Sequence, residues 1–405
     1  MFAYFILTWI CVFFFILSLK FRRPKNFPPG PTPLPILGNL LNLSVHNPMR
    51  DLERLRKSYG NVYSLFIGPK PIVVINGMQA LKEAMLTKAY FSLQLYDSTP
   101  IIRNLPLPFM KGFKNMEVSI LLNVPFIISL VCCATLSFLG VTQVSFLLSQ
   151  TLKKLITGVI TEHRETIVPG KPRDILDCYL DELEKSDSDD SSFSEDKLVM
   201  FILHLMFAGT ETLLSGFLYL NTLSQLQEQC QQELDRVLGN KDHASYDDRH
   251  NMPCTLAVIH EVQRTANTVP FSVYHLTTKD TKPMGYSLPK VLFGSQGTVV
   301  IPNMKSVLNE EGQWKFPHEF NPENFLNDEG EFVQPEAFMP FCAGPRMCPG
   351  ERLAQMKFFL IIVTLLRKFK CIWPEDAGEP DYTPVMGVTL SPHPYRIKVQ
   401  LRTTQ

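Results

Sequence analysis

The decapeptide FCAGPRMCPG at Phe341–Gly350 gathers the residues of this sequence best suited to chemistry. It runs into ERLAQMKFFLIIVTLLRKF, an apolar stretch of helical character. Pro349 suits the first position of a helix, which puts Cys348 at or beside the N-cap. Free amides and the positive end of a helix dipole stabilise a thiolate there. Gly344 and Gly350 carry no side chain, so a bulky group can approach the backbone closely. Arg346 offers a forked donor to carboxylates. Together these suit a flat metal cofactor bearing acid groups, namely haem. A structural cysteine in a turn explains the same residues as well. No CxxCH motif is present, which excludes a c-type haem.

Three further sets could do chemistry, each with a plainer structural reading beside it. AGTET at Ala208–Thr212 interrupts the apolar run Leu198–Leu220. A lipid-facing helix avoids such a break, so this helix is expected to be buried in protein. A threonine there can bond back to the preceding turn and loosen it; the plainer reading is a buried polar kink. Glu261 and Arg264, three apart in HEVQR, share a helix face, as many surface pairs do. His275, in VYHLTTKD, reads by itself as an ordinary strand histidine.

Phe341, Gly344, Arg346, Cys348 and Gly350 reproduce the pattern FxxGxRxCxG. This resembles the haem-binding signature of the cytochrome P450 superfamily at every fixed place. Residues 27–92 and most of Gln225–Arg402 resemble in particular the vertebrate microsomal family two. The resemblance implies a mainly α fold with a smaller β portion, the cytochrome P450 fold, holding haem b through an axial thiolate. It makes Cys348 the iron ligand and Arg346 a partner of a haem propionate. Phe341 would pack near the sulfur, and His275 would bind a second propionate. Within AGTET, Gly209 would leave room at the iron. Glu211 and Thr212 match the family's acid–alcohol pair, the alcohol bonding dioxygen and the acid relaying protons. Glu261 and Arg264 match a buried pair that steadies the haem loop. Their third partner would come from Pro322-Glu323-Asn324-Phe325, where the family carries arginine and this chain has Asn324. Ala208, Val269 and Phe271 are candidate linings of an apolar substrate pocket. The implied activity is insertion of one atom of O2 into a lipophilic substrate, a fatty acid or a xenobiotic. Electrons would come from NADPH through a flavoprotein reductase, at the cytosolic face of the endoplasmic reticulum membrane.

The chain also departs from that pattern. The family's third helix carries a Trp-x-x-x-Arg clamp for the haem propionates. The tryptophans here are Trp9, Trp314 and Trp373, and none is so placed. After Phe91-Ser92 the sequence passes straight to a stretch resembling a later region, so the intervening helices are expected to be missing. Val291–Gly297 reads as a small insertion. Two other readings therefore stand beside the monooxygenase: a non-catalytic member without stable haem, and a haem-thiolate isomerase that needs no reductase.

The elements that must position these residues follow from composition. Residues 1–20 form an expected membrane anchor: Met1–Leu19 carry no charge, and Lys20, Arg22, Arg23 and Lys25 follow at once. Residues 21–40 form a basic, proline-rich hinge, stiff and poor in donors. Residues 41–405 form the catalytic domain. Within it, 117–150 is an atypical insert, uncharged over Val118–Gln150, readable as a second span or as a buried helical pair. Asn61–Asn76 alternates around Gly68-Pro69 and reads as a hairpin; 45–59 and 78–89 read as helices. The 405 residues carry a formal net charge of zero, which gives no case for a nucleic-acid partner. Hydrophobic residues reach 45% with 29 phenylalanines, which points to lipid contact or apolar ligands. Nine scattered cysteines without a CxxC fit reduced thiols.

Overall fold

The computed structural model describes residues 23–44, 48–68, 70–87, 91–93, 141–168, 170–184, 194, 197–199, 202, 224–241, 243–292, 295–348, 350–386 and 389–402. The expected anchor at 1–20, residues 117–140 of the insert, and nearly all of the helix expected over Leu198–Leu220 lie outside them. Among the described residues no helix is long and apolar enough to cross a membrane.

The hairpin is where the alternation places it. Helix α1 (Pro48–Tyr59) leads into β1 (Val62–Ile67), which pairs antiparallel with β2 (Lys70–Ile75), Val62 opposite Ile75. Gly68 turns the chain at φ +56°, a conformation open to glycine at no steric cost. The period of two sends alternate side chains to opposite faces. Tyr63, Leu65, Ile67, Ile72 and Val74 meet Leu52 and Leu55 of α1. Val62, Val73 and Ile75 join a second cluster with Leu81, Ala84 and Met85. These last residues lie in α2 (Met78–Lys82) and in the wider π-helical turn Glu83–Thr87 that continues it.

The hinge is docked onto this hairpin. Ser64 N donates to Pro29 O at 2.7 Å and Asn39 N to Phe66 O at 2.6 Å. Prolines supply no backbone donors, so side chains supply them. Asn39 Nδ2 donates to the Pro31 and Thr32 carbonyls, both at 3.1 Å, while its Oδ1 accepts from Phe66 N. Arg23 donates to Ser64 Oγ at 2.9 Å and Pro31 O at 2.6 Å.

The sheet is completed by pieces far apart in sequence. They are β3 (Phe91–Leu93), β4 (His275–Thr277) and, after the small hairpin of β5 (Val291–Leu292) and β6 (Ser295–Gln296), β7 (Val299–Pro302). The order is β1-β2-β7-β4-β3, with β7 parallel to β2 and the other pairs antiparallel. The expected insertion at Val291–Gly297 thus forms a two-stranded excursion ahead of β7.

The helical side holds the long elements. Helices α3 (Val141–Thr166) and α4 (Ile175–Glu184) pack through Ile156, Ile160, Leu176 and Leu180. Residues 141–150 of the insert are therefore the first turns of a helix that runs on into a charged segment. Helices α5 (Ser224–Leu238), α6 (Pro253–Ala266) and, after the short α7 (Met304–Leu308), α8 (Glu351–Lys368) share one core. Phe358, Phe359, Ile362, Val363 and Leu366 form the buried stripe of α8. Each contributes about 1.5–3 kcal/mol by leaving water. Two buried glutamines of α5 hold its far end. Gln231 Nε2 donates to Leu366 O at 3.0 Å and Phe369 O at 2.9 Å. Gln227 bonds both backbone groups of Cys371 in β8 (Phe369–Ile372).

His260 of α6 is enclosed by Phe325, Phe332 and Phe338, with ring centroids at 5.6, 4.6 and 5.1 Å. Its Nδ1 lies 2.8 Å from Leu256 O; a carbonyl only accepts, so Nδ1 carries a proton. Burial lowers its pKa from 6.5 to about 4. The unfolded chain therefore takes up this proton first as pH falls. The contribution is complete above about 6.5 and drains away as pH drops toward about 4, by about 1.4 kcal/mol per unit. His260→Leu is expected to flatten the acid limb of stability, read as urea midpoints at successive pH values. An unchanged limb would mean that the ring is not buried neutral.

Candidate active site

The described features of the Phe341–Gly350 loop are local backbone geometry and contacts with distant residues. Cys348 N donates to Phe341 O at 3.0 Å, closing the loop, and Met347 N donates to Gly344 O at 3.0 Å inside it. Gly344–Arg346 form a 3-10 turn. Cys342 (φ +66°) and Gly344 (φ +80°) both take left-handed conformations, which gives the loop its reversal. Helix α8 begins at Glu351 with Gly350 as N-cap. Cys348 therefore stands two residues ahead of the cap, not at or beside it as the sequence suggested. Gly350 at φ −88°, ψ 6° is not yet helical, and its neighbour Pro349 lies outside the described residues. The carbonyl of Cys348 still accepts from Glu351 N at 3.4 Å, so its backbone is tied to the first turn. The thiol is free and half-buried.

Gly344 has no room for a side chain. A Cβ there would sit 2.8 Å from the Met85 carbonyl carbon and closer still to its oxygen. The cysteine loop thus rests directly on the π-helical turn behind the sheet. Gly344→Ala combines a positive-φ penalty with that backbone clash, and both are costly. The expected loss is about 2–4 kcal/mol of stability, and thermal unfolding of the purified variant checks it. A shift under about 1 kcal/mol would show that the loop does not bear on Met85.

The Glu261–Arg264 pair of α6 has both side chains buried. Arg264 Nε and Nη2 grip the two carboxylate oxygens at 2.7 Å each. The other donors of the guanidinium reach Leu308 O (2.8 Å), Pro317 O (2.9 Å) and Glu319 O (2.6 Å). Its planar group also lies 5.1 Å from the Trp314 ring centroid. Glu261 accepts from Asn321 N at 2.7 Å and from Asn324 Nδ2 at 3.3 and 3.4 Å. The structure so brings Glu261, Arg264 and Asn324 together, the neutral amide reaching Glu261 where the family carries arginine. Burial pushes the Glu261 carboxyl upward, and the Arg264 bond and charge pull it back.

Other expected site residues divide. His275 is wholly buried in β4, opposite Leu93 of β3 and Val300 of β7. Val269 is exposed, and Phe271 packs against the α1 face of the sheet. A cavity of 310 Å³ opens at the C-terminal end of α6, lined by Thr265, Asn267, Lys305, His318, Tyr382 and Leu390 among others, and neither Val269 nor Phe271 lines it. Ala208, Gly209, Glu211, Thr212 and the Arg346 side chain lie outside the described residues. Trp314 donates from Nε1 to Val307 O and Trp373 to Gly378 O, so both brace local turns. Sequence reasoning missed the seat of Gly344 on Met85 and the aromatic enclosure of His260. Both are contacts between distant residues with no local pattern.

Fold and loop together define a class: a mainly helical body with a thiol on the loop before a long apolar helix, and a buried acid–base pair on a neighbouring helix. The chain belongs to the cytochrome P450 family, whose sequence model matches residues 28–107 and 134–399; cytochromes P450 are monooxygenases. It is 31% identical to cytochrome P450 2D9 of Mus musculus, covering 96% of each chain, and 30% identical to cytochrome P450 2D6 of Homo sapiens, covering 96% of this chain and 97% of that one. To cytochrome P450 2K1 of Oncorhynchus mykiss it is 31% identical over 91% of each. The alignment with 2D9 spans 492 positions, more than the 405 residues of this chain, so that relative carries interior stretches absent here. The family match breaks at 108–133.

The family implies a haem-thiolate cofactor, and the loop fits one in its donor set. Among the described residues, Cys348 belongs to no cluster of three or more His, Cys, Asp or Glu side chains placed to share a metal. A metal held by this thiol would take its remaining donors from a bound group, as iron does from a porphyrin.

Proposed function

We propose that the chain is a haem-thiolate monooxygenase that inserts one atom of O2 into lipophilic substrates, fatty acids or xenobiotics, with electrons from NADPH through a flavoprotein reductase. The observation that carries this reading is a free, half-buried thiol at Cys348, raised on a closed loop that runs into α8. Haem bound through a thiolate supplies the activation of dioxygen. The chain's own residues do the rest. Cys348 is the metal ligand. Arg346 and His275 hold the acid groups of the cofactor, and Phe341, Gly344 and Gly350 shape the loop against it. Glu261, Arg264 and Asn324 fix the segment 316–324 behind the loop. Glu211 holds and passes protons, and Thr212 orients them by hydrogen bond. Ala208, Val269 and Phe271 contribute apolar surface toward the substrate. Residues 1–20 anchor the body to the endoplasmic reticulum membrane, 21–40 set its attitude at the cytosolic face, and 117–150 form an atypical insert.

Turnover by the full chain with reductase and NADPH tests the reading. Thr212→Ala is expected to keep the haem spectrum and consume NADPH, but to divert most of it to hydrogen peroxide instead of product. Full coupling in that variant would remove Thr212 from proton delivery. Absence of a thiolate-type carbon monoxide difference spectrum in the unmodified chain would overturn the whole assignment and favour a non-catalytic role.

A further inference from the structure

A pair of cysteines joins α5 to α6, apart from the Cys348 loop. Cys230 is fully buried on the face of α5 that meets α6 and α8. Cys254 follows Pro253 in the first turn of α6 and packs, half-buried, on the same core. The two thiols lie within hydrogen-bonding reach of each other. Their neighbours hold them so. Glu233, one turn along α5 from Cys230, accepts from Cys254 N at 3.0 Å, Thr255 N at 2.8 Å and Thr255 Oγ1 at 2.6 Å. One carboxylate thus caps α6 and pins its first turn against α5.

The two sulfurs differ in character. Cys254 is the one a small solute can reach. The hydrogen bond from Cys230 holds its thiol below the ordinary range, while the same bond and burial push Cys230 up. The Glu233 carboxylate opposes ionisation of both. An accessible sulfur backed by a buried one is an attacking and resolving arrangement.

We propose that Cys230 and Cys254 are a modification site, a dithiol that hydrogen peroxide closes into a disulfide locking α5 to α6. The Cys254 sulfur attacks one peroxide oxygen and the O–O bond breaks. Hydroxide leaves and takes the thiol proton as water, and Cys254 becomes a sulfenic acid. The Cys230 sulfur then attacks the Cys254 sulfur, the S–O bond breaks, and a second water leaves with the Cys230 proton. Two thiols give up two electrons, and peroxide accepts them.

The test is a peptide map of the full chain after peroxide treatment, alkylation of the remaining thiols and digestion without reductant. It does not depend on turnover. The expected result is a linked pair of peptides containing Cys230 and Cys254, two hydrogen masses below their sum, with two thiols lost per chain and recovered with dithiothreitol. Cys230→Ala is expected to abolish the link and to accumulate a dimedone-reactive sulfenic acid at Cys254. Cys254→Ala abolishes the link and leaves Cys230 reduced. The proposal is overturned if both cysteines of the unmodified chain still alkylate on unfolding when exposed Cys178 has been oxidised, or if Cys254 pairs with another cysteine. The unmodified chain decides between these results even where a variant folds poorly.

Discussion

Cys348→Ser is expected to abolish the thiolate-type band in the reduced carbon monoxide difference spectrum while leaving the chain folded. The two halves of this result separate a ligand from a structural cysteine. The loop is closed by main-chain bonds, Cys348 N to Phe341 O and Met347 N to Gly344 O, and serine keeps all of them. Its left-handed turns sit at Cys342 and Gly344 and do not involve residue 348. The side chain is only half-buried, so exchanging sulfur for oxygen costs stability of the order of 1 kcal/mol or less. A hydroxyl does not ionise near neutral pH and is a poor substitute for thiolate. Loss of the band with an unfolding midpoint near that of the parent supports ligation. Retention of the band would mean that some other donor holds the metal.

Much of the scaffold around that residue is legible in the linear order of residues. The Asn61–Asn76 alternation gives β1, β2 and the Gly68 turn because strand period and turn chemistry are local properties. The apolar stretch after Gly350 gives α8 for the same reason. Three-residue spacing puts Glu261 and Arg264 on one face, and Asn324 meets them as the resemblance implied. What stays hidden is set by packing between distant segments. Nothing around Gly344 names Met85 as its seat, and nothing around His260 names Phe325, Phe332 and Phe338 as its enclosure. The hinge illustrates the point. Its prolines announce a stiff segment, but only the fold shows Asn39 and Arg23 supplying the donors that the prolines lack. The cap of α8 falls two residues later than Pro349 suggests, a boundary shift of the size that local signals leave open.

Arg264→Ala is expected to cost about 3–5 kcal/mol of folding stability, the range for breaking a buried ion pair by removing one partner. The reasons are additive in kind. Glu261 keeps only Asn321 N and the longer bonds from Asn324, and burial already pushes its carboxyl toward the neutral form. The carbonyls of Leu308, Pro317 and Glu319 lose a donor together, and each unsatisfied buried acceptor is costly. Trp314 loses the cation over its ring. Arg264→Lys restores the charge but not the planar fork, so it is expected to recover less than half of the loss. Glu261→Gln should cost less than Arg264→Ala, because an amide still accepts from Asn321 N. The order Arg264→Ala, then Arg264→Lys, then Glu261→Gln, from most to least destabilised in urea titration, is the signature of an arginine that organises carbonyls as well as neutralising a carboxylate. Equal losses for Arg264→Ala and Glu261→Gln would reduce the cluster to a simple ion pair and leave the carbonyls of Leu308, Pro317 and Glu319 independent of the guanidinium.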